Sequence, residues 1–150
     1  MAIQCPPLTI YSFQNVVLTI DGRRVEGFWE GDDAIQLERP TDLGTPLVGA
    51  DGSSLVSITA DQTATLTLRL QPTSPWNREL ANRVKQIRNG ASVTPMVISL
   101  RYTSTGEGGG CSAAVIIKEP DSSWGDAASA REWQIHCSCW QDNDLNYNPA

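Results

Sequence analysis

The single histidine of this 150-residue chain, His136, stands in Gln134-Ile135-His136-Cys137-Ser138-Cys139, and Cys5 and Cys111 complete the set of side chains that could bind zinc or act as a nucleophile. Structural zinc sites pair their cysteines two to four residues apart, whereas Cys137 and Cys139 are separated by one residue and Cys5 and Cys111 have no near partner. A Cys/His nucleophile needs the base within hydrogen-bond reach of the thiol. Strand alternation instead sets His136 on the face opposite Ile135 and Cys137, which reads as a solvated or interface histidine. The glycine run Gly108-Gly109-Gly110 lacks the following Lys-Ser/Thr and leads into a β-like run, not a helix, so it reads as a flexible hairpin tip and not as a phosphate cradle. Glu30-Gly31-Asp32-Asp33 and Asp142-Asn143-Asp144 do not follow the twelve-residue calcium loop and read as solvated acids. Trp29, Trp76, Trp124, Trp133 and Trp140 have no interleaved basic groove and read as core and interface anchors rather than a base-stacking platform. These residues imply no catalytic group, no metal and no cofactor.

Composition points the same way. Eleven Lys and Arg against seventeen Asp and Glu leave a net charge of -6, the wrong sign for a protein that grips nucleic acid through its phosphates. The length suits one domain, with a short N-terminal arm (1–8) and a C-terminal tail (141–150). No apolar run reaches the roughly 20 residues of a membrane-spanning helix, and the N-terminus lacks the pattern of a signal peptide, so cytoplasmic synthesis is expected.

The elements that would position these residues are mainly β, because apolar residues recur with a period of two in most informative windows and with a helical period in only one. Val16 to Ile20 leads into Asp21-Gly22, a strong hairpin signal, with Arg23 to Trp29 returning. Ala34 to Glu38 is a strand stopped by Pro40, and residues 39–54 read as a long connection with a turn at Asp51-Gly52. Strands follow at Ser57 to Ala60 and Gln62 to Leu70; the second places Ala64, Leu66, Leu68 and Leu70 on one face and Thr63, Thr65, Thr67 and Arg69 on the other. Ser74 as N-cap, Pro75 at the first helical position and Gly90 as stop delimit one helix, with an apolar stripe of Trp76, Leu80, Val84 and Ile87. Three strands are expected after it, at Thr94 to Tyr102, Cys111 to Lys118 and Arg131 to Trp140. The fold class is therefore mainly β, a β-sandwich or small barrel, with one flanking α-helix.

Three segments, Tyr11-Ser12-Phe13-Gln14-Asn15-Val16, Gly49-Ala50-Asp51-Gly52 and Thr73-Ser74-Pro75-Trp76-Asn77 with Leu80, resemble the tail tube proteins of contractile-tailed bacteriophages, over roughly residues 8 to 90. The longer Glu119 to Ser129 loop and the Cys-Ser-Cys segment depart from that pattern. The resemblance implies a virion structural subunit, assembled in the host cytoplasm, that forms hexameric rings stacked into a hollow tube for DNA passage, alongside sheath, baseplate and terminator proteins. In that setting the polar, weakly charged Thr63, Thr65 and Thr67 are lumen-facing candidates. Arg78, Arg83, Lys85 and Arg88, four basic residues against the one acid Glu79 on the helix, are sheath-facing candidates. Residues 39–54 are the candidate contact with the next ring, being long for a connection inside a domain. Cys5, Cys111, Cys137 and Cys139 are candidates for disulfides between subunits; the alternative, favoured for Cys137, is a reduced thiol buried as a small hydrophobe. A baseplate or terminator subunit, a carbohydrate-binding β-sandwich and a metal enzyme built on His136 are the competing functions.

Overall fold

The computed structural model describes residues 3–144. A 3-10 turn at Phe13–Asn15 leads into β1 (Val16–Ile20) and β2 (Arg23–Arg24). β3 (Ile35–Glu38), β4 (Gly44–Val48), β5 (Ser54–Ile58) and β6 (Ala64–Leu70) precede the helix α1 (Pro75–Arg88). β7 (Met96–Tyr102), β8 (Gly108–Lys118), β9 (Arg131–Cys137) and β10 (Gln141–Asp142) complete the elements among the described residues. All pairings are antiparallel, in one eight-stranded sheet of order β2-β1-β7-β8-β9-β6-β3, with β10 beside β8, and a separate two-stranded sheet of β4 and β5.

The Asp21-Gly22 turn has both residues at positive φ, 53° and 81°, the geometry that suits a two-residue hairpin. The returning segment is regular strand only at Arg23–Arg24. Beyond it, Phe28 bridges Leu70 and the Trp29 amide donates to the Arg69 carbonyl at 2.9 Å. Residues 23–29 therefore pair with β1 at their start and β6 at their end, which ties the two ends of the strand order together and rolls the sheet into a small barrel.

Strand alternation fills that barrel. Leu18 and Ile20 of β1, Leu66, Leu68 and Leu70 of β6, Ile98 of β7, and Trp133, Ile135 and Cys137 of β9 all lie in one buried cluster. The helix joins it through Trp76, Leu80 and Val84, while Ile87, the fourth member of the expected stripe, stays 36% exposed. Ser74 caps the helix: its hydroxyl accepts from the Trp76 amide at 3.4 Å and donates to the Glu26 carbonyl at 2.6 Å. Gly90 follows the last turn with φ 71°. The Trp76 and Trp133 indoles donate at 2.9 Å to the Arg24 carbonyl and to Asn77 Oδ1, which fixes the helix against β2 and β9.

Two expected boundaries are corrected. The glycine run is not a flexible tip: Gly108, Gly109 and Gly110 form the first part of β8, held between β7 and β10. A Cβ on Gly109 would lie 2.3 Å from the Gln141 carbonyl oxygen and 2.6 Å from the Trp140 indole nitrogen, so the glycine allows backbones and an indole to meet. The last strand stops at Cys137, and after a break the chain pairs again as β10, so the first residues of the expected tail belong to the sheet; positions 145–150 lie outside the described residues.

Candidate assembly surface

Residues 39–54, read from sequence as one long connection, instead contain β4 and reach the start of β5, and together the two strands form a projecting hairpin. Pro46 and the exposure of both faces hide the strand signal, but Leu47-Val48 and Leu55-Val56 on either side of Gly49-Ala50-Asp51-Gly52 carry it. The strands pair only with each other, and every residue of β5 and all of β4 except Gly44 is exposed. Leu43, Leu47, Val48, Leu55, Val56 and Ile58 are between 52% and 75% exposed, whereas Asp51 is the only charged residue from 44 to 58. An exposed apolar hairpin with open edges is a surface that soluble monomers avoid.

The root of the hairpin is tied down by side-chain hydrogen bonds. Asp61 accepts from the Thr41 hydroxyl at 2.6 Å and from the Thr63 amide and hydroxyl at 2.8 and 2.7 Å. The Thr41 and Thr63 bonds hold the Asp61 carboxyl down at about 2. Arg39 donates to the Gln62 and Trp140 carbonyls at 3.1 and 3.0 Å and to Asp142 at 3.2 Å, tying the start of β6 to β10. Asp142 also borders an open groove of about 1270 Å³. Its floor includes Phe13, Val16, Trp29, Ile35, Leu37 and Leu100, and its rim carries Glu30, Asp32 and Glu107 beside Asp142.

The structure separates the remaining sequence candidates. Thr65 and Thr67 lie half-buried on the face of β6 opposite the core, paired with His136 and Gln134 of β9 and with Glu38 and Gln36 of β3. Thr63 stands before the strand and serves the Asp61 turn. Arg69, on the same face as the threonines, bridges Asp33 and Glu132. On the helix, Arg83 is paired with Asp21 and Arg88 with Glu119, while Arg78 and Lys85 make no ion pair among the described residues. Asp21 is held below its ordinary value, first by the Val97 amide and then by Arg83.

Of the cysteines, Cys5 and Cys139 are exposed and Cys111 and Cys137 are buried. Cys111, which follows the glycine run expected to be a flexible tip, is buried in the core cluster because that run is strand. Burial, reinforced by the neighbouring Cys111, pushes the Cys137 thiol up to about 12. His136 faces away from both buried thiols. Among the described residues no three His, Cys, Asp or Glu side chains converge. Trp76, Trp133 and Trp140 are core residues, and Trp124 is 84% exposed with Arg131 over its ring at 5.0 Å.

Among solved structures the chain is similar to the sheath/tube terminator of an extracellular contractile injection system (PVC) in its extended state, with a TM-score of 0.66, 15% identity, and coverage of 95% of this chain and 100% of that one. It is also similar to the cap of the anti-feeding prophage, a tube-terminating cap, with a TM-score of 0.55, 14% identity, and coverage of 95% and 94%. At that identity the likeness shows the fold. No curated protein matches the chain. A family model described as Bacteriophage PhiTE tail tube protein matches residues 8–143, and the chain belongs to that phage tail tube family.

Proposed function

We propose that the chain is the inner-tube subunit of a contractile phage tail, a non-enzymatic protein that closes into hexameric rings and stacks them into a hollow tube for DNA ejected into the host. The projecting apolar hairpin of β4 and β5 carries this reading. Its exposed leucines, valines and isoleucine and its open edges are an unfavourable surface for a monomer and a favourable one for a subunit, because assembly removes both from water. Thr65 and Thr67, with Thr63 near them, supply a polar surface without a cationic grip, suited to a lumen through which DNA must slide. Arg78 and Lys85 are the helix cations available to the sheath. The subunit is assembled in the host cytoplasm and ends in the virion tail, in contact with sheath, baseplate and terminator.

A tube terminator is the second reading, favoured by the likeness to two solved terminator structures. Sedimentation of the purified chain across a concentration series separates the two. Species growing beyond one ring mark a tube subunit, and growth that stops at a single ring marks a terminator.

A further inference from the structure

We infer that the groove beside β3 docks an extended segment of a different protein, apolar along one face and carrying Lys or Arg, which adds as a strand to the free edge of β3. Residues 23–29 close the barrel over part of its height only: the Val25 amide donates to the Leu18 carbonyl at 2.9 Å, and Phe28 and Trp29 pair with Leu70 and Arg69. Past that stretch no strand lies between β1 and β3, and the groove is the seam this leaves. Its aliphatic floor is Val16, Ile35, Leu37 and Leu100. The last three continue the core, packing against the buried cluster from its edge.

The seam offers backbone as well as floor. The Arg69 amide donates to the Ala34 carbonyl at 2.9 Å, and the register runs on with Ile35 opposite Leu68 and Leu37 opposite Leu66. Bonds in an antiparallel pair alternate, so Ala34, Gln36 and Glu38 turn their amides and carbonyls toward β6, and Ile35 and Leu37 turn theirs outward. β3 is the last strand in the sheet order, so no strand among the described residues pairs with those outward groups. The same two residues therefore supply a free strand edge and part of an apolar floor. An added peptide strand uses both, gaining affinity from main-chain bonds and selectivity from its alternate side chains.

Charge selects the occupant. No Lys or Arg lines the groove, whereas Glu30, Asp32, Glu107 and Asp142 do. Asp142 has Arg39 as partner, but Glu30, Asp32 and Glu107 are exposed and make no ion pair among the described residues. Tyr11, Phe13, Trp29 and Tyr102 also line the groove, and aromatic rings attract ammonium and guanidinium groups. Three unpaired carboxylates beside such a lining repel nucleic acid and acidic peptides and favour a cationic one. A second copy does not bring it. The exposed apolar segments of this chain, residues 3–10 and 43–58, contain no Lys or Arg, and the second of them carries Asp51. The occupant is therefore another chain, and its docking is separate from ring formation.

The test is an anisotropy titration of the purified full chain with a fluorescein-labelled peptide, Lys-Val-Thr-Val-Thr-Val-Lys. Its controls replace both lysines by glutamate, or all three valines by serine. The lysine–valine peptide should bind at least about 10-fold tighter than either control, and added salt should weaken it. Glu30→Gln, Asp32→Asn and Glu107→Gln together, with the melting temperature as a control for the fold, should cost about 10-fold in its affinity. Against the unmodified chain, N-methylation of the alternate peptide amides that face β3 should cost at least as much, because the edge loses its donors. No binding, equal binding of the acidic and basic peptides, or an affinity indifferent to the three substitutions or to N-methylation would overturn the inference. So would a lysine–valine peptide that blocks ring growth in sedimentation, since the groove would then belong to a second copy. Ring growth of the peptide-free chain is read separately, so failure of the peptide leaves the tube reading standing.

Discussion

At the scale of single residues, the environment of each buried cysteine is set by which face of which strand carries it. The opposite faces of His136 and Cys137 were legible, because alternation along a strand is a property of the local chain. The burial of Cys111 was not, because it depends on β8 beginning three residues earlier than the glycine run suggests. The environments of the cysteines give a direct prediction. Cys5 and Cys139 should be alkylated quickly in the folded protein, and Cys111 and Cys137 only on unfolding, as read by mass mapping of labelled peptides; rapid labelling of Cys137 would contradict its burial and its raised pKa. The hydrogen bonds of Asp61 predict an acid effect. Its carboxyl is held at about 2 against an ordinary 3.8, so the stability it contributes is present above about pH 4 and is lost as pH falls toward 2. Thermal melts from pH 5 to pH 2 should show a smaller fall for Asp61→Asn than for the unmodified chain.

At the scale of elements, the helix and β6 were read to within a residue or two because each carries its own punctuation: Ser74, Pro75 and Gly90 for one, strict alternation for the other. β4 was read as part of a connection, and β5 (Ser54–Ile58) was placed three residues late at Ser57 to Ala60, because a strand exposed on both faces has no alternation to display and Pro46 argues locally against one. Pro46 is tolerated there because β4 pairs on one side only, leaving an edge that needs no amide donor. The glycine run was misplaced for a different reason. Its glycines answer to close approach by Trp140 and Gln141, contacts distant in sequence that no local pattern records. Gly109→Val should therefore destabilise the fold by about 2 kcal/mol or more, the range for forcing atoms into a filled site, measured as a lowered denaturant midpoint. An unchanged midpoint would mean that β10 does not hold against β8.

At the scale of the whole molecule, the mainly β class with one flanking helix was legible, and of the two expected forms the barrel is the one observed. Its closure was not legible, since it rests on the single bridge from Phe28 to Leu70 after an irregular stretch. The assembly surface was half legible: residues 39–54 were singled out by their length, while the groove is built from β1, β3, β7 and the N-terminal arm and exists only in the folded chain. The uncovered apolar hairpin on an acidic subunit is the physical basis for reading this tail tube family member as a self-assembling tube protein. The most direct measurement is negative-stain imaging of the purified chain at high concentration under reducing conditions. Hollow tubes longer than one ring are predicted, and particles that stay monomeric, or stop at one ring, would contradict the inner-tube role.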